Sequence, residues 1–167
     1  MWLASESRRE AGLGRTANAP PASGRKIPAE RIELLARFEP PGYDPATGDS
    51  PQFRIAMKHY QDRDYAGAIP GLRTIVDAAP DSVESRFYLA ICQLLTKDRV
   101  SGVAELRNVI AAGDTPYLER ARFYLAKGLL ASGDIRGADT QLRIIVEMHK
   151  TFEKQAQVLL AQILPSR

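Results

Sequence analysis

The apolar residues of the chain recur every three or four positions, and one such stretch occurs three times. The segments 64–76, 98–110 and 134–146 each begin with Asp and contain Leu-Arg-x followed by two Ile or Val residues. Their starting points lie 98 − 64 = 34 and 134 − 98 = 36 residues apart. A period in this range marks helical units that bury their apolar faces by stacking on copies of themselves. The pattern predicts an all-α fold of stacked helix pairs.

Each repeat is predicted to contain two helices, and polar residues mark where these begin. Ser50 and Thr115 each precede a proline, and Asp81 stands three residues before a Glu, so all three are expected to cap first helices. The Asp that opens each repeated segment is expected to cap the second helix. The predicted helices are first helices at about 51–62, 82–96 and 116–132, second helices at about 65–78, 99–112 and 135–149, and a final helix at about 151–164 that Thr151 caps.

The residues before the repeats have a different composition. Residues 1–26 are rich in Ala, Gly, Ser, Pro and Arg, which predicts a disordered tail. Residues 27–49 are expected to form a short amphipathic helix at about 28–38 and then a Pro/Gly-rich linker. The repeat domain is expected to occupy the rest of the chain, 50–167, with repeats at about 50–81, 82–115 and 116–150 and a capping helix at 151–164.

Charge and cysteine content exclude some classes of function. The net charge is +3, and residues 1–26 carry five bases and two acids, so the remaining residues are neutral overall. That balance argues against a nucleic-acid partner. Cys92 is the only cysteine and is expected to be buried. No apolar run approaches the ~18 residues of a membrane-spanning helix, and no signal peptide is apparent, so the chain as written is expected to be cytoplasmic, without a membrane partner.

The sequence offers no pattern typical of catalysis or metal binding. His59 and His149 have no Cys, Asp or Glu at metal-ligand spacing. His59 aligns with Gln93 and Leu129 of the other repeats, so it is expected to fill a packed position. No glycine-rich phosphate loop and no nucleophile motif occurs. We therefore expect no catalytic residue, no metal and no cofactor, and a protein that is not an enzyme.

The repeated unit resembles the tetratricopeptide repeat, a helix–turn–helix of 34 residues, over about residues 50–150. Arg-Phe-Tyr-Leu-Ala occurs verbatim at 86–90 and 122–126. The resemblance implies an α-solenoid of three tetratricopeptide-like helix pairs plus a C-terminal capping helix, after a disordered N-terminal tail. Small residues, which close helix crossings require, stand at two set points of each repeat: Ala56, Ala90 and Ala126 in the first helices, and Ala68, Gly102 and Ala138 in the second.

The resemblance also implies a concave binding groove formed by the first helices. Carried over position by position, the groove residues are Phe53, Met57, Tyr60, Gln61, Glu84, Phe87, Ile91, Leu94, Arg120, Phe123, Lys127 and Leu130. The three phenylalanines are expected to form a stripe. Two interpretations stay open: the stripe is exposed to a partner, or it is buried, for instance by the helix at 28–38. An exposed stripe predicts a non-catalytic scaffold or adaptor that binds a protein or peptide partner through the groove.

A narrower resemblance concerns residues 37–43, which lead into the repeats. This arrangement is similar to the extracytoplasmic end of bacterial membrane proteins that carry an anti-sigma-like zinc-finger module, a membrane helix and then such repeats. The zinc ligands and the membrane helix are missing here. The resemblance implies an alternative function as an extracytoplasmic sensor or assembly domain, periplasmic if the chain is a fragment. Self-association through the phenylalanine stripe is a third hypothesis.

Overall fold

The computed structural model describes residues 27–46 and 49–163, and its regular structure is entirely helical. The predicted all-α fold is confirmed for these residues. The predicted tail, residues 1–26, lies outside the described residues, as do 47–48 and 164–167. The helices are α1 (Ala29–Ala36), α2 (Pro51–Gln61), α3 (Tyr65–Ala78), α4 (Val83–Leu95), α5 (Arg99–Ala111), α6 (Leu118–Ala131), α7 (Ile135–Met148) and α8 (Glu153–Ile163).

The helices pack in the order expected of a repeat stack. α2 packs on α3, α4 on α5 and α6 on α7, and each second helix also contacts the first helix of the next pair. The last second helix, α7, has no further repeat to cover it, and α8 packs on it instead. α1 packs on α6, far along the chain from its own position. An apolar face that one pair cannot bury alone is therefore covered by its neighbour.

Side-chain oxygens cap the N-termini of four helices, as the sequence predicts. Ser50 accepts a hydrogen bond from the backbone N–H three residues later, at 3.1 Å. The aspartates that open the repeated segments do the same at 2.8 to 3.2 Å, namely Asp64, Asp98 and Asp134. Each bond satisfies one of the amides that a helix start leaves without an intrahelical partner. The repeated Asp thus fixes where each second helix begins.

Two other predicted caps are wrong. α4 begins at Val83 after Ser82, so Asp81 lies outside the cap position, and no side chain caps this described helix end. α6 begins at Leu118, three residues after Thr115, and no side chain caps this described end either. The Thr115 hydroxyl is buried and has no hydrogen-bond partner among the described residues. In both cases the helix starts later than the polar residue suggests, because a turn separates the two.

The start of α8 is satisfied from another helix. The backbone N–H of Phe152 donates to Oε1 of Glu119 at 2.6 Å. Glu119 lies in α6, where it is 9% exposed, and its carboxylate takes the role that the sequence gives to Thr151. A negative charge at a helix N-terminus is also favoured by the helix dipole. This bond ties the capping helix to the third repeat.

Small residues occur where the helices approach most closely. Ala68, Ala90, Ala126 and Ala138 are fully buried. A Cβ added at Gly102 would lie 2.8 Å from the Leu94 side chain and 3.0 Å from a backbone oxygen of α4. Such distances leave no space for a larger residue. The small positions are therefore required by the helix crossings.

Cys92 and His59 differ in burial. Cys92 is fully buried in α4, as expected, and burial raises the pKa of its thiol to about 12. The prediction that His59 fills a packed position is wrong. Its ring is exposed, and Nδ1 lies 2.8 Å from the Asp64 carboxylate that caps α3. The pairing with the cap explains why a polar ring can occupy this position at the turn.

Candidate functional site

The first helices α2, α4 and α6 share one face, here called the groove, whose floor is a row of aromatic rings. Successive rings pack edge to face, the arrangement that their quadrupoles favour. Their centroids are 5.2 to 5.9 Å apart in the order Tyr60–Tyr88–Phe87–Tyr124–Phe123. The row connects all three repeats through rings that hold one another in place.

Residues 37–43, here called the strap, cross the groove without helix or strand structure. Arg37 leaves α1 in an extended conformation, with φ −62° and ψ 145°. Glu39 and Pro40 each precede a proline, and this position restricts the backbone to extended or polyproline conformations. The sequence that breaks the helix after α1 therefore also keeps the strap extended.

Tyrosine hydroxyls from the three first helices bind the backbone of the strap. Each hydroxyl donates to a carbonyl oxygen, and the rings that carry the hydroxyls are at most 5% exposed. Because the rings are fixed by edge-to-face packing, the hydroxyls are held in position for these bonds. The pairs are Tyr60 with Pro41 at 2.7 Å, Tyr88 with Gly42 at 2.9 Å and Tyr124 with Glu39 at 3.4 Å.

The strap places one aromatic ring at each end of the groove. The ring of Phe38 lies 5.1 Å from that of Tyr124 in the third repeat. The ring of Tyr43 lies 5.7 Å from Phe53 and 5.8 Å from Tyr88, in the first and second repeats. All three contacts are edge to face. The strap is thus anchored by aromatic contacts on both sides of its prolines.

Lys127 joins α6 to the C-terminal end of α1. Its ammonium donates to the carbonyl oxygens of Leu35 at 2.7 Å and Arg37 at 2.9 Å. The side chain is 8% exposed, and its burial lowers the pKa of the ammonium. The last carbonyls of a helix have no intrahelical partner and carry partial negative charge. Lys127 therefore holds the point where α1 ends and the strap begins.

The twelve predicted groove residues differ in their exposure and in their contacts with the strap and α1. Gln61 and Arg120 are exposed, Glu84 is half-buried, and the other nine are buried. Glu84 and Arg120 line a cavity of about 430 Å³ beside the strap. The residues that contact the strap or α1 by a hydrogen bond or a ring contact are Phe53, Tyr60, Gln61 and Lys127. Those packed without such a contact are Met57, Phe87, Ile91, Leu94, Phe123 and Leu130.

The predicted phenylalanine stripe is buried and is not continuous. Phe53, Phe87 and Phe123 are 5%, 0% and 8% exposed, and tyrosine rings stand between them. Of the two interpretations left open by the sequence, burial is the one that the structure has. The strap, beyond the end of α1, supplies part of the cover through its ring contact with Phe53.

Sequence reasoning missed Tyr88 and Tyr124 as groove residues. Each directly follows a phenylalanine that was assigned to the groove, and neighbouring residues of a helix point in directions about 100° apart. Each tyrosine hydroxyl therefore reaches the strap, whereas the neighbouring phenylalanine makes no ring contact with the strap. The verbatim Arg-Phe-Tyr-Leu-Ala of two repeats was the available signal, since it repeats the tyrosine as faithfully as the phenylalanine.

The groove presents protonated donors. Burial raises the pKa of Tyr88 to about 12 and raises the pKa values of Tyr60 and Tyr124 as well. These hydroxyls therefore keep their protons at neutral pH. No cluster of three or more potential metal ligands occurs within residues 27–46 and 49–163. The side chains of the groove can therefore donate hydrogen bonds and pack against aromatic rings, as they do with the strap.

Comparison with solved structures identifies the fold. The type III secretion chaperone SycD of Yersinia enterocolitica, in complex with a peptide of the translocator YopD, is 16% identical with a TM-score of 0.61, over 67% of this chain and 88% of that one. The first TPR of Spaghetti (RPAP3), bound to the HSP90 peptide SRMEEVD, is 15% identical with a TM-score of 0.59, over 84% and 95%. The CopN–Scc3 complex is 16% identical with a TM-score of 0.58, over 84% of this chain and 91% of that one.

These similarities show a tetratricopeptide-type helical repeat fold, which confirms the resemblance seen in the sequence. No protein-family model matches the chain, and a comparison with curated proteins finds no match. The narrower resemblance to the anti-sigma-like membrane proteins stays a prediction. Within the described residues, every helix is too short or too polar to cross a lipid bilayer.

Proposed function

We propose that this protein is a non-catalytic interaction scaffold that binds an extended segment of a protein or peptide partner in its groove. The observation that carries the proposal is the strap itself. An extended piece of chain lies on the first helices, and a tyrosine from each of them donates to one of its backbone carbonyls. The groove therefore has the chemistry of a peptide-binding site, and the strap of the same chain occupies it.

Recognition through the backbone suits a partner that arrives as an extended chain. Every residue of any peptide has a carbonyl oxygen, so these bonds position a segment and leave the choice of sequence to side-chain contacts. The rings of the donors Tyr60, Tyr88 and Tyr124 pack edge to face on other rings of the repeats, and these contacts do not depend on a ligand. Fixed donors reduce the entropy that is lost on binding.

The solved neighbours support the same interpretation by analogy. SycD is in complex with a peptide of YopD, and the first TPR of Spaghetti is bound to an HSP90 peptide. Their identity to this chain is 15 to 16%, so they contribute the architecture and leave the residues of the site to be argued from this chain. The architecture supports the groove as the place where a peptide binds.

The chemistry of the described side chains favours binding over catalysis. General acid–base catalysts work best with a pKa near the operating pH, whereas burial moves the pKa values of the groove tyrosines away from neutrality. The Cys92 thiol is buried with a pKa raised to about 12, so it is a poor nucleophile. Lys127 already donates to two carbonyl oxygens.

A peptide selection with hydroxyl-deletion variants tests the proposal. Random 12-residue peptides are selected on the full wild-type chain and on a full chain whose strap anchors are removed (Phe38→Ala with Tyr43→Ala). Binders are then measured on a variant that keeps the rings but loses the three donors, in which Tyr60, Tyr88 and Tyr124 are each replaced by Phe. Tyr65→Phe is the matched control, since Tyr65 packs on Tyr60 without bonding the strap.

The expected result is that at least one of the two selections yields peptides that bind. Their affinity should fall by tenfold or more in the triple variant, since each lost hydrogen bond contributes about 0.5–1.5 kcal/mol, and it should be unchanged in Tyr65→Phe. The proposal fails if neither selection yields binders. It also fails if all binders are indifferent to the loss of the three hydroxyls.

A further inference from the structure

We propose that the partner segment shares the chemistry of the strap, with the pattern aromatic–any–Pro–Pro–any–aromatic, and that the strap competes with it for the groove. The inference rests on the proposed function and specifies its ligand. It follows from three properties of the strap: which of its backbone atoms are bound, where its rings lie, and which of its positions is open.

The groove binds backbone acceptors. Between described residues, the repeat helices make six hydrogen bonds to the backbone of residues 35–43, and all six end on carbonyl oxygens. An ordinary peptide would also bring amide hydrogens to this aromatic surface, and a buried amide without a partner costs about 1–3 kcal/mol. Proline has no amide hydrogen. Pro41 therefore brings an acceptor to the groove without bringing a donor, and Pro40 beside it brings no donor either.

The anchors of the strap fix a spacing. Phe38 contacts Tyr124 at one end of the groove and Tyr43 contacts Phe53 and Tyr88 at the other. The two anchors are five residues apart along the chain, with the prolines between them. Proline favours the extended polyproline conformation and has little conformational freedom to lose on binding. A segment with aromatic residues five apart around two prolines would reach the same two contacts.

The side-chain position of Gly42 faces open space, although its carbonyl oxygen is bonded to Tyr88. A Cβ added at Gly42 would have no atom of the described residues within 4 Å, and Gly42 is not among the glycines with a positive φ. Neither space nor backbone conformation therefore requires glycine there. A partner segment can carry another residue at this position, which is why the pattern leaves it unspecified.

The strap occupies the groove within the same chain, so a free peptide must displace it. A tethered segment has an effective concentration on the order of millimolar. If the strap itself has an intrinsic Kd of about 10 μM for the groove, the groove is open in only about one molecule in 100. A free peptide would then bind the intact chain about 100-fold more weakly than a chain whose groove is empty. A strong partner, or one that also holds other surfaces, would bind in spite of the strap.

A labelled copy of the strap is the probe that tests this inference. A fluorescent peptide of residues 35–46 is titrated into the full wild-type chain and into the full Phe38→Ala/Tyr43→Ala chain, and anisotropy is recorded. We expect saturable binding to the variant and binding at least tenfold weaker to the wild type. Should circular dichroism show the variant to be unfolded, the full Pro40→Ala/Pro41→Ala chain replaces it, since that change leaves the groove side chains intact.

Two altered peptides separate the elements of the pattern. Replacing both prolines of the peptide by alanine restores two amide hydrogens and is expected to weaken binding at least tenfold. Replacing the glycine that corresponds to Gly42 by alanine is expected to leave the affinity within a factor of two. Tyr88→Phe in the strap-weakened chain should weaken the binding of the unaltered peptide. That loss of affinity would place the bound peptide in the groove.

Three results would overturn the inference. The first is no binding of the unaltered peptide to a folded strap-weakened chain, and the second is equal binding to that chain and to the wild type. The third is a dimer by light scattering in which the strap of one copy fills the groove of another and excludes the peptide. If the peptide selection still yields groove binders of another pattern, only the ligand class is wrong. If neither experiment finds a groove binder, the proposed function is wrong as well.

Discussion

The hydroxyl of Tyr88 donates to the carbonyl oxygen of Gly42 at 2.9 Å, although the two residues are 46 positions apart in sequence. Gly42 precedes the first repeat, whereas Tyr88 belongs to the second. The bond therefore attaches a segment outside the repeats to the face that their first helices share. With the bonds from Tyr60 and Tyr124, it turns a Pro-rich connection into the occupant of a groove.

Replacing Lys127 by Met should loosen the strap. The change removes the two hydrogen bonds to the end of α1, and bonds to charged groups contribute about 1.5–3 kcal/mol each. Trypsin cleaves after Arg37 once the strap opens, and cleavage of a transiently open segment follows its population. We expect cleavage there to become roughly ten times faster or more. Lys154→Met, an exposed change in α8, is the control, and an unchanged rate would refute the role of Lys127.

The repeated aspartates should differ in effect from an aspartate that caps nothing. Asp98→Ala removes the bond to the backbone N–H of Ser101 and should lower the free energy of unfolding by about 1 kcal/mol. Asp81→Ala should change it by less than about 0.5 kcal/mol, as surface substitutions usually do. Urea denaturation of both variants measures the difference. Equal effects would mean that the cap bond is not what stabilises α5.

Ala138→Arg should destabilise the third repeat severely. Ala138 is fully buried in α7, which packs on α6, and a long charged side chain there must force the helices apart. We expect a loss well above the ~1–3 kcal/mol of ordinary overpacking. Thr140→Arg places the same side chain at an exposed position of the same helix and should be nearly neutral. A melting temperature of Ala138→Arg equal to that of the wild type would contradict the placement.

Alkaline pH should weaken the fold through the groove tyrosines. Burial raises the pKa of Tyr88 from 10.0 to about 12 and raises those of Tyr60 and Tyr124. Above pH 10 the unfolded chain loses protons that the folded chain keeps, so their contribution is complete below pH 10 and falls as the pH rises toward 12. The lowered pKa of Lys127 changes the free energy of unfolding in the opposite direction. That change is complete near pH 10.5, the pKa of the ammonium in the unfolded chain.

Thermal melts between pH 9 and about pH 12 measure this decline. The variant with Phe at positions 60, 88 and 124 is the comparison, since it keeps the rings and removes the titrating groups. The wild type should lose stability more steeply than the variant above pH 10. Parallel curves would show that other groups control the alkaline transition.

The repeat stack could be predicted because its signals are local. Asp98 and Asp134 each cap a helix that begins at the next residue, so the sequence alone locates these starts. The start of α8 could not be predicted in the same way. Its amide is bonded by Glu119, which lies in a different helix 33 residues earlier, and only the tertiary packing brings them together.

The occupied groove could be predicted only in part. Pro40 and Pro41 indicate that helix α1 ends, and a linker is the ordinary interpretation of such a stretch. Its return to the first helices depends on bonds such as Tyr88–Gly42, which no local pattern encodes. Tyr124 was missed because it directly follows Phe123 in α6, so placing the groove one residue earlier in the helix selects Phe123 in its place.

Ring-to-ring nuclear Overhauser effects in the free, full chain show whether the strap lies in the groove. Phe38 and Tyr124 have centroids 5.1 Å apart, and Tyr43 and Phe53 have centroids 5.7 Å apart. We expect cross-peaks between the ring protons of both pairs in a chain labelled at its aromatic residues. Their absence in a well-folded chain, with strap resonances at random-coil positions, would contradict the placement of the strap in the groove.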